Sequence, residues 1–312
     1  MRVRHRRGVL LSLSTLVLLG LTGWAAGWFK PTETVITEIA PGVFFRKMET
    51  EPQFLGSNQG WVIFQDFVLV IEASFPNQAE AVIREIRKTT NKPIRYVFDT
   101  HYHGDHADGN PIFAKIGAAP VASENSKILF ETKGIAGFEQ SQKEKPDEYG
   151  KLTYAPPSLY FPTKLVIDDG TQRVELWHLG HAHTAGDAVA WLPKHGIVFT
   201  GDACVNGAFN YTGDSNTESW IGVLTKLQEL PVKVVCPGHG EMTGKELLDQ
   251  QKRYFVELRE AIQKLIDQSK SLDDIKQQLD LPFYKEWTGV DVKTRVENIE
   301  FVYRELTKRK SG

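Results

Sequence analysis

Apolar positions along the chain change spacing several times, and each change marks an element. Residues 34–46 and 61–71 are dense in Val, Ile and Phe and read as strands. Residues 76–89 instead put Ala79, Val82, Ile83 and Ile86 on one face, the spacing of an amphipathic helix. The short apolar runs 94–98 and 119–122 read as buried strands, with a short helix starting near Gly109 between them. Residues 123–149 begin with helical character and turn polar around 140–146, which reads as a solvated loop. Further on, 164–167 and 173–179 flank the turn Asp168-Asp169-Gly170, a hairpin signal. Short buried strands follow at 188–192 and 197–200. A helix over 217–230 aligns Trp220, Val223, Leu224 and Leu227, and a last strand spans 232–236. Two β-then-α halves without a long parallel βαβ series predict two packed sheets with helices outside.

Beyond Gly240 the pattern turns helical. Leu247, Leu248, Gln251, Tyr254, Leu258, Ile262 and Leu265 form one stripe. Ser271-Leu272-Asp273-Asp274 opens another helix as a capping box with Asp in place of Glu. A final helix over 291–310 aligns Val292, Val296, Ile299, Tyr303 and Leu306. These stripes read as packing faces of a C-terminal extension, residues 241–312, on a main domain over 34–240; a dimer interface stays open.

The first 29 residues differ from all of this. Arg2, Arg4, Arg6 and Arg7 precede an uncharged segment, 8–29, the form of an export signal. Its length of about 20 residues also suffices to span a bilayer. The basic side stays in the cytoplasm, so the remainder is expected in the periplasm or on the outer face of the membrane. Arg6-Arg7 also permits a twin-arginine route. Cleavage and anchoring both remain open. The net charge of −2 gives no nucleic-acid surface, and Cys204 and Cys236 are too few for a disulfide framework. Two buried thiols are favoured over one bridge.

Candidate chemistry concentrates at strand ends. After the 94–98 run comes Thr100-His101-Tyr102-His103-Gly104-Asp105-His106. His101 and His103, two apart in extended chain, point to the same side and can share one metal ion. Asp105 and His106 fall where a helix starts and can face a second position. Later strand ends offer His183 in Gly180-His181-Ala182-His183-Thr184, Asp202 in Thr200-Gly201-Asp202, and His239 in Pro237-Gly238-His239-Gly240. The seven side chains are the number for two tetrahedral ions sharing one carboxylate and a solvent molecule.

In these motifs, His-x-His-x-Asp-His, Ala-His-Thr, Gly-Asp and Pro-Gly-His-Gly in that order, residues 34–240 resemble the metallo-β-lactamase superfamily. The resemblance implies an α+β fold, an αββα four-layer sandwich, and two zinc ions per chain. His101, His103 and His183 would hold the first ion; Asp105, His106 and His239 the second; Asp202 would lie between them. Asp187 would orient a ligand, while His178 and His181 are read as structural. The implied reaction is attack of a metal-bound hydroxide on a carbonyl of a small-molecule substrate, with Asp105 moving a proton.

Within the superfamily the chain looks most like the class B β-lactamases. Gly56-Ser57-Asn58-Gln59-Gly60 resembles their mobile flap, with Phe54 and Leu55 at its tip. Asn210 and the Asp214–Trp220 stretch resemble the segment that orients the lactam, which would make Asn210 an oxyanion group, with Tyr211 the alternative. Two features depart: Asp202 stands where those enzymes usually have Cys, and no cation follows in Ala203-Cys204-Val205-Asn206-Gly207-Ala208. The alternatives are therefore a lactone, ester or thioester hydrolase of the same superfamily. An iron redox relative or a non-catalytic metal-binding accessory protein stands further off.

Overall fold

The computed structural model describes residues 35–48, 56–289 and 293–308. The basic-then-uncharged segment 1–29, the Phe54–Leu55 tip and Val292 lie outside the described residues. No helix among the described residues is long and apolar enough to cross a membrane.

The first sheet opens with two hairpins, each read as one strand from the apolar density. β1 (Val35–Ala40) turns through Gly42, at φ 73°, into β2 (Val43–Lys47), and β3 (Gln59–Ile63) pairs antiparallel with β4 (Val68–Ile71). α1 (Pro76–Thr89) follows, with Ala79, Val82 and Ile86 buried. Each of its buried Val and Ile side chains contributes roughly 1.5–3 kcal/mol. β5 (Ile94–Phe98), α2 (Gly104–Ala107), α3 (Asn110–Lys115) and β6 (Ala119–Ser123) come next.

The stretch read as a solvated loop is instead helical. α4 (Lys127–Leu129) runs through a π-turn at 130–134 into α5 (Ile135–Glu144), then α6 (Pro146–Tyr149). Phe138 alone anchors α5 in the interior, and Gln142 Nε2 donates to the carbonyls of Gly150 and Leu152, so the polar residues simply form its wet face.

β7 (Leu159–Phe161) completes a seven-stranded sheet in chain order. Its half from β4 to β7 is parallel, against the expectation of little parallel pairing. The second sheet holds β8 (Lys164–Asp168), β9 (Arg173–Trp177), β10 (Val189–Leu192) and β11 (Ile197–Val205). β12 (Ala208–Phe209) and α7 (Thr217–Glu229) then lead to β13 (Val234–His239), which runs parallel to β11.

Alternation along single strands shows why there are four layers. Leu69 and Ile71 of β4 enter the core between the sheets, whereas Val68 and Val70 face α1. On β10, Ala190 and Leu192 join the inter-sheet core, while Val189 and Trp191 pack with α7. With both faces of each strand covered, the chain shows continuous apolar runs at these places. The result is an αββα sandwich.

α8 (Glu246–Asp267), α9 (Leu272–Gln278), the two-residue β14 (Thr288–Gly289) and α10 (Thr294–Lys308) finish the chain. α8 buries Leu247, Leu248, Tyr254, Leu258 and Ile262, and its polar member, Gln251, accepts from the Val205 amide at 3.2 Å. The Ser271–Asp274 capping box is formed. The α10 stripe differs from expectation: Val296 is exposed, and Val302 is buried beside Ile299. The described residues make one compact unit, and both cysteines are buried free thiols.

Candidate metal centre

All the predicted ligands converge where β5, β11 and β13 end together. The loop after β5 carries His101 and His103, the short helix α2 that follows carries Asp105 and His106, and the loop between β9 and β10 carries His183. The amide of Ala188 donates to the Thr100 carbonyl at 2.9 Å and ties these two loops together. Asp202 differs from expectation in lying inside a strand: β11 continues to Val205 through an irregularity at Gly201. His239 is the last residue of β13. Gly238 has to be glycine, since a Cβ there would stand 2.0 Å from Asp202 Oδ1.

Two clusters result. His101 Nε2 and His183 Nε2 lie 3.1 and 3.0 Å from His103 Nδ1. In the second cluster, His106 Nε2 and His239 Nε2 stand 3.3 and 3.2 Å from Asp105 Oδ2. Asp202 serves both: Oδ2 is 3.6 Å from His183 Nε2, and Oδ1 is 3.4 Å from both His106 Nε2 and His239 Nε2. Ligands about 2.0–2.1 Å from a tetrahedral ion stand roughly 3.3 Å apart, so these spacings suit zinc.

Buried atoms left without partners carry the test of fit. His106 Nε2 and Asp202 Oδ1 are fully buried and form no hydrogen bond. A buried polar atom without a partner is costly, and a cation between these groups would satisfy both. The chemistry of the donor set, imidazole and carboxylate, is that of zinc.

Three of the five imidazoles, His101, His183 and His239, hydrogen-bond through the far nitrogen, which selects the tautomer that turns the near one inward, and the other two face a carboxylate. His101 Nδ1 lies 3.1 Å from Thr100 Oγ1, His183 Nδ1 2.9 Å from the Tyr211 carbonyl, and His239 Nδ1 3.1 Å from the Gly56 carbonyl. His106 Nδ1 is 3.2 Å from Glu72 Oε1, and His103 Nε2 is 3.6 Å from Asp214 Oδ2.

Protonation differs between the clusters. Burial pushes His183 down to about 4, helped by His103 and His106 against the opposing pull of Asp202, and burial puts His101 well below the ordinary range too. Both are neutral, as ligands must be. Burial lowers His239 as well, but Asp202 and Asp105 outweigh it and hold it up at about 9.

The sites join a cavity of about 540 Å³. Its rim carries Phe75, Tyr102, Lys133, Phe138, Lys145 and Tyr211. Lys133, from the helical wall, pairs with Asp214, which also accepts from the Tyr102 hydroxyl.

Three expectations need correction. Asn210 does not face the cavity: it is buried, and its Nδ2 donates to the Asp202 carbonyl at 2.7 Å and to Gln251 Oε1 at 3.4 Å, so it fixes β11 and has no donor left for an oxyanion. Tyr211 does line the cavity. The segment 56–60 is no flap, because Ser57, Asn58 and Gln59 are buried and Asn58 Nδ2 donates to the carbonyls of Pro237 (2.9 Å) and Gly240 (2.8 Å). It is a strap under the metal loops. Asp187 bonds no ligand ring; it accepts from the Thr184 amide and hydroxyl and so shapes the loop holding His183. His178 and His181 bond the carbonyls of Asp187 and Asp214. Glu72 and Lys133 went unread. Glu72 gave one signal, an acid directly after a buried strand, whereas Lys133 sits in an unremarkable helix.

Comparison with known proteins agrees with this geometry. The family model described as "Metallo-beta-lactamase superfamily" matches residues 53–239. Metallo-beta-lactamase IND-1 of Chryseobacterium indologenes is 26% identical over 173 residues, 54% of this chain and 64% of that protein. A metallo-beta-lactamase type 2 of Bacteroides fragilis is 23% identical over 181 residues, 56% of this chain and 65% of that one. The chain thus spans less than two thirds of the length of these relatives. A solved metallo-beta-lactamase from Pontibacter korlensis superposes with a TM-score of 0.59 at 23% identity, covering 72% of this chain and 99% of that one. At that identity the likeness speaks to the fold.

Proposed function

Because the chain belongs to the metallo-beta-lactamase superfamily, we propose that it is a two-zinc hydrolase of β-lactams, acting outside the cytoplasm. The observation that carries the reading is the shared carboxylate of Asp202, one oxygen turned to each imidazole cluster. The β-lactam assignment draws on the similarity to IND-1 and the Bacteroides enzyme; export draws on the charge pattern of residues 1–29.

His101, His103 and His183 would hold one ion, Asp105, His106 and His239 the other, with Asp202 between. Bound there, a pair of divalent ions supplies Lewis acidity and makes hydroxide available near neutral pH. The chain's own residues do the rest. Burial works to raise the Asp105 carboxyl, but His106 and His239 hold it well below the ordinary range, so it is ionised, as a ligand of the second ion has to be. Burial raises the Tyr211 phenol, keeping its proton on as a donor at the cavity wall. Phe75 and Phe138 give the substrate an apolar bed, and Lys145 lies over the Phe75 ring at 4.9 Å.

Asp202 in place of the usual cysteine favours a second reading, hydrolysis of lactones, esters or thioesters at the same site. The test is nitrocefin turnover with and without zinc, beside Asp105→Ala. Zinc-dependent turnover lost in the variant supports β-lactam hydrolysis. No turnover by protein holding two ions would overturn that substrate class and move the search to lactones and thioesters.

A further inference from the structure

The last helix lies beyond the segment matched by the family model, which ends at residue 239. It nevertheless reaches the cavity. Thr294 and Glu297 line it, and Phe301 meets the Tyr211 ring edge-on, centroids 5.7 Å apart. Between them on this helix sits Asn298, fully buried. Its Oδ1 accepts from the Thr212 amide at 3.0 Å and the Thr212 hydroxyl at 2.9 Å. Its Nδ2 donates to the Asn210 carbonyl at 2.7 Å and the Tyr254 hydroxyl at 3.2 Å. A buried amide with every site engaged is held in one orientation.

Those bonds grip the residues on either side of Tyr211. Its carbonyl accepts from His183 Nδ1 at 2.9 Å, and its ring stands 6.3 Å from that imidazole. A carbonyl on Nδ1 fixes the tautomer that leaves the His183 Nε2 lone pair turned toward His101 and His103.

We infer that Asn298 is a positioning residue for the first ion site: by pinning residues 210–212 it aims the Tyr211 carbonyl at His183 and seats the Tyr211 ring in the cavity wall. The C-terminal helix is then part of the working site, not only a cover for the second sheet. This inference rests on the reading of His101, His103 and His183 as an ion site.

The test compares Asn298→Ala and Thr212→Val with Arg304→Ala, which lies on the exposed side of the same helix. Each is made in full-length protein carrying His239→Ala, so that zinc binding reports the first site. Zinc affinity is read by competition with a chromogenic chelator, and folding by thermal melting of the metal-free protein. Asn298→Ala is expected to weaken zinc binding by about 10-fold, the low end of what losing a ligand's direct outer partner costs, because it acts through the Tyr211 carbonyl. Thr212→Val, which deletes one bond and keeps the volume, shifts it less in the same direction, and Arg304→Ala leaves it unchanged. If Asn298→Ala does not fold, Thr212→Val decides. Lowered melting with zinc affinity equal to the parent in both variants would show a purely structural role and overturn the inference alone. A parent protein that binds no zinc would overturn the ion-site reading as well.

Discussion

Replacing Glu72 separates two things that this residue does at once. Its Oε1 lies 3.2 Å from His106 Nδ1 and accepts from Thr100 Oγ1 at 2.6 Å, while Oε2 accepts from the Thr100 amide at 3.3 Å. It does this from a left-handed backbone, φ 68°. Glu72→Ala leaves two buried Thr100 donors unpaired, at roughly 1–3 kcal/mol each, so a loss of about 2–6 kcal/mol is expected. Glu72→Gly loses the same bonds but relieves the left-handed strain, about 1–2 kcal/mol. Glycine is therefore expected to be the more stable of the two by about 1 kcal/mol, the reverse of its usual rank. Both variants release the His106 ring alike, and zinc affinity at the second cluster is expected to fall by roughly 10–100-fold in each. Urea unfolding of the metal-free proteins measures the first quantity and chelator competition the second. Zinc affinity within about 2-fold of wild type, against the 10-fold minimum expected for a lost ligand partner, would refute the orienting role of Glu72. An alanine variant at least as stable as the glycine one would refute the strain.

Other outcomes follow from particular contacts. Gly238→Ala drives a methyl into Asp202 Oδ1, and zinc-dependent turnover is expected to fall at least about 100-fold, since the carboxylate common to both clusters is displaced; near-normal kcat/KM would show that Asp202 is not shared. Burial raises Asp108 to about 6, against the bond from Tyr149 that lowers it. A carboxyl raised in the fold stabilises fully below its unfolded value near 4, and that contribution fades as pH rises through about 6. The change is at most about 3 kcal/mol. Asp108→Asn should flatten the pH dependence of metal-free unfolding between about pH 4 and 6, and an unchanged slope there would mean that Asp108 titrates in the fold as it does in the unfolded chain.

How much of this was legible depended on the range of the interactions. The ligands other than Asp202 announce themselves because each sits in a short motif at a strand end, where chain direction alone brings it to the sheet edge. The helix over 76–89 was equally plain, because one apolar face decides it. Partners remote in sequence were hidden: Glu72 acts on residues 28 and more positions away, and Asn298 on residues 86 and 88 away. The Asn210 expectation failed for a related reason, since loop composition does not tell which way a side chain turns, and here the amide turns inward to the Asp202 carbonyl. Apolar density blurred the tight turns at Gly42 and at 64–67, so that four strands read as two. Polar density hid α5, whose single deep anchor is Phe138.

The most direct test is a zinc titration of metal-free protein with bound ions and nitrocefin turnover followed together. Two equivalents per chain should bind, with turnover rising as the site fills and Asp202→Ala losing both the second equivalent and the activity. Saturation at one equivalent, or full binding in Asp202→Ala, would contradict a two-ion site built around that carboxylate.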